Sequence, residues 1–128
     1  MVKGVRHTGI VVDDLGKSLA FWTGLGMSVA FITEEAPKFI DKLMGITGSR
    51  LTTIKMQAQD GSKIELLYFK SHESPKGKVK PPFAKGIRHV ALTVDKVPNG
   101  VLSPDGKVKV AYVNAPDGVI LELVEELC

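Results

Sequence analysis

Short β-rich runs punctuated by Gly, Asp and Pro dominate the chain, and one longer stretch changes its hydrophobic period from two to about 3.6. Residues 5–12, VRHTGIVV, predict a strand. Asp13 or Asp14 can cap a helix whose apolar residues Leu15, Leu19 and Trp22 fall at i, i+4 and i+7, with Gly24 and Gly26 ending it. A strand follows at about 27–33, MSVAFIT, and Pro37 opens a short helical stretch, PKFIDKLMG, closed by Gly45. Strands at about 50–57 and 62–70 form a hairpin across Gln59-Asp60-Gly61-Ser62, where Asp-Gly supplies the turn. The strand order is βαβββ.

The same pattern starts again. GVRHTGIVVD (4–13) aligns without gaps to GIRHVALTVD (86–95), with five identities in ten positions. The far ends echo as well: DGSKIELLYF (60–69) resembles DGVILELVEE (117–126), each an Asp-Gly turn followed by a β-rich run with a Glu embedded in it. The second copy is shortened, because His7 and Glu65 lie 58 positions apart (65 − 7) whereas His89 and Glu122 lie only 33 apart (122 − 89). Between Asp95 and Lys107 the run KVPNGVLSPDG has no helical periodicity. It reads as a loop with one short strand near Val101–Ser103, so the helix of this copy is missing. Strands are expected at 87–94, and at about 107–113 and 118–125 around the turn Ala115-Pro116-Asp117-Gly118. The expected organisation is one domain over 1–128: module one at about 1–72, a linker at about 73–85, and module two at about 86–128.

Charge refines this picture. The total is +3, but residues 70–85 hold five lysines against Glu73 alone, a local +4 that leaves −1 on the rest. With Phe83 its single aromatic, this Pro/Gly-containing stretch reads as a solvated linker, and a nucleic-acid partner is not expected. No apolar run approaches the roughly 18 residues of a membrane span, and MVKGVRHTGI lacks the layout of a signal peptide. Cys128, the lone cysteine, reads as an inert tail residue, and a reducing cytoplasm is the expected compartment.

Alternation along the strands places His7 on a face with Val5, Gly9 and Val11, and Glu65 with Leu67 and Phe69. His89 lies with Ile87, Ala91 and Thr93, and Glu122 with Ile120 and Val124. One His or Glu on a strand is an ordinary residue. Two matched His/Glu pairs in two copies of one unit need a common compensation for their charge, and a divalent cation provides it. His72 has no counterpart in the repeat and is expected to be exposed.

These residues resemble the vicinal-oxygen-chelate superfamily, which includes glyoxalase I, methylmalonyl-CoA epimerase, extradiol dioxygenases, and the fosfomycin- and bleomycin-resistance proteins. The likeness is carried by RHTGIVVDDLGKSLAFW, GSKIELLYF, IRHVALTVD and VAYVNAPDGVILELVE, and it covers most of the chain. It implies an α+β fold in which paired βαβββ modules form a cup-like mixed sheet, here with module two short of its helix. It further implies one divalent ion per chain (Ni, Co, Zn, Mn or Fe) on His7, Glu65, His89 and Glu122. The His/Glu/His/Glu set resembles bacterial-type glyoxalase I, in which Glu122 would be the catalytic base moving a proton next to a metal-bound carbonyl of a hemithioacetal or thioester.

Three alternatives stay open. The first is a methylmalonyl-CoA-epimerase-like enzyme, although that family typically has Gln at the Glu65 position and an acid on the strand that here reads LTTIKMQ. The others are an extradiol-type dioxygenase and a non-enzymatic protein that sequesters a small molecule such as an antibiotic. Arg6, Arg50 and Arg88 are candidates for binding an anionic substrate, and a homodimer is expected to cover the strand at 87–94.

Overall fold

The computed structural model describes residues 1–77 and 80–127. Lys78 of the linker and the tail residue Cys128 lie outside them. The chain divides into two compact units, Met1–Lys76 and Gly77–Cys128, and the division falls inside the basic linker.

Unit one contains β1 (Thr8–Val11), α1 (Leu15–Gly24), β2 (Ser28–Glu34), α2 (Pro37–Met44), β3 (Leu51–Gln57) and β4 (Lys63–Phe69). They form a four-stranded sheet of order β1-β4-β3-β2, in which β1 runs parallel to β4 and the other pairs are antiparallel. Asp14 is the cap of α1, accepting from the Lys17 backbone N–H at 3.0 Å. The helix closes as a Schellman motif: Met27 N–H bonds the Trp22 carbonyl at 3.2 Å and Gly26 N–H bonds that of Thr23 at 3.0 Å. Gly26 supplies the required positive φ of 98°. Trp22 is fully buried, and Ile10, Ile54, Met56, Ile64 and Leu66 form the core with it. Thr52 and Thr53, also buried, donate to Glu34 at 2.6 Å and Glu35 at 2.7 Å, so neither hydroxyl is stranded. The Thr52 hydrogen bond, helped by Lys70, holds the Glu34 carboxyl below the usual carboxylate range.

Unit two repeats the sheet without the helices. β5 (His89–Thr93), β6 (Val101–Leu102), β7 (Val108–Asn114) and β8 (Ile120–Glu126) pair in the order β5-β8-β7-β6, with β5 parallel to β8. This is the strand order of unit one, position for position. No helix occurs among the described residues of this unit. A loop takes over part of its work: Val97 is buried, and its N–H donates to the buried carboxylate of Glu125 at 3.0 Å. Gly100 lets the loop approach β7, since a Cβ there would sit 3.2 Å from the Val110 backbone and 2.7 Å from Val97.

The expected elements are present, with edges moved by at most three residues. Both first strands of the modules start late. β1 begins at Thr8 instead of Val5, and β5 at His89 instead of Ile87, so His7 stands just ahead of its strand.

Candidate metal centre

In unit one the sheet register aligns Gly9, Glu65, Lys55 and Phe31 in a row across β1, β4, β3 and β2. His7 lies two residues before Gly9 and brings its Nε2 to 3.6 Å from Glu65 Oε1. The other carboxylate oxygen lies 3.8 Å from Lys55 Nζ, and that ammonium sits 5.3 Å from the Phe31 ring centroid. Glu65 is therefore flanked by an imidazole and an ammonium, with its side chain only 13% exposed. His7 Nδ1 is buried with no hydrogen-bond partner.

Unit two builds the same row from Ala91, Glu122 and Tyr112 on β5, β8 and β7. His89 again lies two residues before the partner of the glutamate, and its Nε2 is 3.6 Å from Glu122 Oε2. Its other ring nitrogen, Nδ1, is 3.4 Å from the Tyr112 hydroxyl, and the two rings are tilted at a centroid distance of 5.4 Å. Pro82, Ile87, Arg88, His89, Tyr112 and Ile120 surround a cavity of about 420 Å³ at the start of β5.

Each module thus brings its own His and Glu together. A separation of 3.6 Å is too long for a direct N–H···O bond. Two donors at ordinary metal–ligand lengths lie about 3.4 Å apart across a tetrahedral angle, so the donor types and spacing of each pair fit a shared divalent ion. The Tyr112 hydroxyl beside His89 Nδ1 also suits an imidazole held for metal binding, whose second nitrogen normally finds a partner. No group of three or more His, Cys, Asp or Glu side chains able to hold an ion occurs among the described residues, and each His–Glu pair supplies two donors.

Lys55 and Tyr112 are additions to the sequence reading. A countable signal points to both: each Asp-Gly turn begins five residues before the glutamate, and the cross-strand partner lies five residues before that Asp. Where the epimerase pattern calls for an acid on LTTIKMQ, this chain has a cation against Glu65. Of the three arginines, Arg6 and Arg50 are exposed, while Arg88 is half-buried and lines the unit-two cavity. His72 is exposed, with Nδ1 at 2.7 Å from the Ser71 hydroxyl.

A family model described as the glyoxalase/bleomycin resistance protein/dioxygenase superfamily matches residues 4–99. The chain belongs to that superfamily. The matched region contains His7, Glu65 and His89 and stops before the closing motif with Glu122. Comparison with curated protein sequences gives no match. Among solved structures, the chain is similar to a glyoxalase family protein from Bacillus cereus, with TM-score 0.88 and 19% identity over 100% of this chain and 97% of that one. It is also similar to a glyoxalase family protein from Enterococcus faecalis, with TM-score 0.65 and 16% identity over 96% and 98% of the two chains. A third likeness is to the fosfomycin resistance protein FosX from Listeria monocytogenes, complexed with Mn(II) and sulfate, with TM-score 0.58 and 15% identity over 98% and 93%. At these identities the likeness establishes the fold, that of paired glyoxalase-type modules.

Proposed function

We propose that the chain is a divalent-metal-dependent enzyme of the glyoxalase type, moving a proton next to the carbonyl of a small hemithioacetal or thioester. The observation that carries this reading is the recurrence of one His–Glu pair at 3.6 Å at equivalent sheet positions in both modules. His7, Glu65, His89 and Glu122 would together hold one ion of Ni, Co, Zn, Mn or Fe. The Mn(II) bound by FosX supports a divalent metal on this fold. A bound ion would supply Lewis acidity to a substrate carbonyl.

The chain's own residues do the rest. Glu122, 26% exposed on β8, is open enough to take a proton from the carbon beside that carbonyl and deliver it to the neighbouring atom. Tyr112 steadies the His89 ring through Nδ1. Lys55 holds one oxygen of Glu65 and leaves the other facing His7, which suits Glu65 to a fixed ligand's part and Glu122 to the mobile one.

A second reading draws on Lys55. Its ammonium compensates Glu65 with no metal at all, as a non-enzymatic protein that sequesters a small molecule would require. Proton exchange separates the two. Incubation with hemithioacetals and acyl-CoA thioesters in deuterated water should place solvent deuterium in the product, whereas binding without exchange for every substrate would favour the sequestering protein.

The proposed assembly is a homodimer. Val101 and Leu102 on β6, at the edge of the unit-two sheet, are both more than half exposed, an apolar surface that a second copy would cover. Sedimentation at micromolar concentration should give a species of about twice 13.8 kDa, and a lone 13.8 kDa species would refute the dimer. No helix among the described residues is long and apolar enough to cross a membrane, and the compartment we propose is the cytoplasm.

A further inference from the structure

We infer that the cavity at the start of β5 is an anion subsite, in which Arg88 and Tyr112 hold the carboxylate, phosphate or phosphonate end of a small molecule beside His89. Its volume, about 420 Å³, is in the range of small-molecule sites. Pro82, Ile87 and Ile120 give it apolar walls, and no carboxylate side chain among the described residues lines it. Its polar groups are the guanidinium of Arg88, the imidazole of His89 and the phenol of Tyr112, each of which carries at least one N–H or O–H donor.

The arginine is held in place by its surroundings. Its Nη2 donates to the Lys85 carbonyl at 3.2 Å, which orients the guanidinium plane. Gly86 makes room for it: the residue has φ +117°, and a Cβ there would lie 3.0 Å from Nη2. The Nε of Arg88 is buried and has no hydrogen-bond partner. A buried donor left unpaired is costly, and an oxyanion bound bidentately through Nε would relieve that cost while adding a charge-assisted bond. Tyr112 reaches the same cavity and lies 3.4 Å from His89 Nδ1, so an anion held there sits beside the proposed ligand His89. That the subsite belongs to a catalytic centre rests on the function proposed above. Anion binding itself does not.

The test therefore runs on the full chain with a chelator present, so that failure of the subsite and failure of the metal site are read separately. The Arg88 side-chain Nε–H resonance is followed by NMR during titration with methylphosphonate in one arm and acetate in the other. We expect a saturable shift of that resonance; stronger binding in the first arm marks a phosphate-type substrate and in the second a carboxylate. Arg88→Gln should weaken apparent affinity by about tenfold or more, and Arg88→Lys, which keeps charge but loses the fork, should fall between. Tyr112→Phe should weaken it by a smaller factor. No saturable shift at Arg88, shifts confined to the lysines of 70–85, or undiminished binding by both folded Arg88 variants would overturn the proposal.

Discussion

Replacing Glu122 by Gln should lower turnover by about 10²-fold or more, the usual scale for loss of an acid–base group, while metal binding weakens only in part. The amide keeps the size of the side chain and one coordinating oxygen, but it has no basic oxygen to accept a proton. Solvent deuterium incorporation should disappear with turnover. We propose Glu122 for this role because it pairs with Tyr112 across the strands, where Glu65 has Lys55. The Lys55 ammonium, 3.8 Å from one Glu65 oxygen, ties that carboxylate in place, whereas the cross-strand partner of Glu122 is a neutral phenol. The corresponding change Glu65→Gln should act mainly on metal affinity. Normal turnover by Glu122→Gln with metal retained would reduce Glu122 to a ligand and pass the role of base to Glu65.

Much of this arrangement was legible in the chain. The paired motifs around His7 and His89, and around Glu65 and Glu122, led to the two equivalent sheets, because a repeated pattern with period two must bury the same face each time. The missing helix of module two was equally visible, since KVPNGVLSPDG has no periodicity that a helix could use. What replaces that helix was not. Val97 and Glu125 are 28 positions apart, and nothing local to either announces that one will cap the other. Lys55 and Tyr112 were missed for a related reason. Their importance comes from cross-strand register, and only counting outward from the Asp-Gly turns reveals it. The half-buried state of Arg88 depends on a backbone conformation at Gly86 that a glycine permits without requiring.

The largest effect on stability should come from Trp22. It is the largest fully buried side chain, at the C-terminal end of α1, and meets Phe21 edge-on at 5.6 Å. Trp22→Ala should cost about 3–5 kcal/mol, through lost apolar burial plus the cavity left behind. Such a loss is a large share of the total for a small domain. Trp22→Phe should cost clearly less, because the indole Nε1 is buried without a hydrogen-bond partner and phenylalanine removes that unpaired donor along with part of the volume. Denaturant melts of the two variants check the order. A Trp22→Ala midpoint close to wild type would mean that α1 is not a structural part of unit one.

The central proposal is that His7, Glu65, His89 and Glu122 hold one ion, and elemental analysis addresses it directly. Wild-type protein, loaded with Ni, Co, Zn, Mn or Fe and freed of unbound salt, should retain close to one divalent ion per chain. His7→Ala and His89→Ala should each lose it, although the two residues lie in different units. Wild-type protein that retains no ion after loading with any of the five, while still folded, would contradict the account.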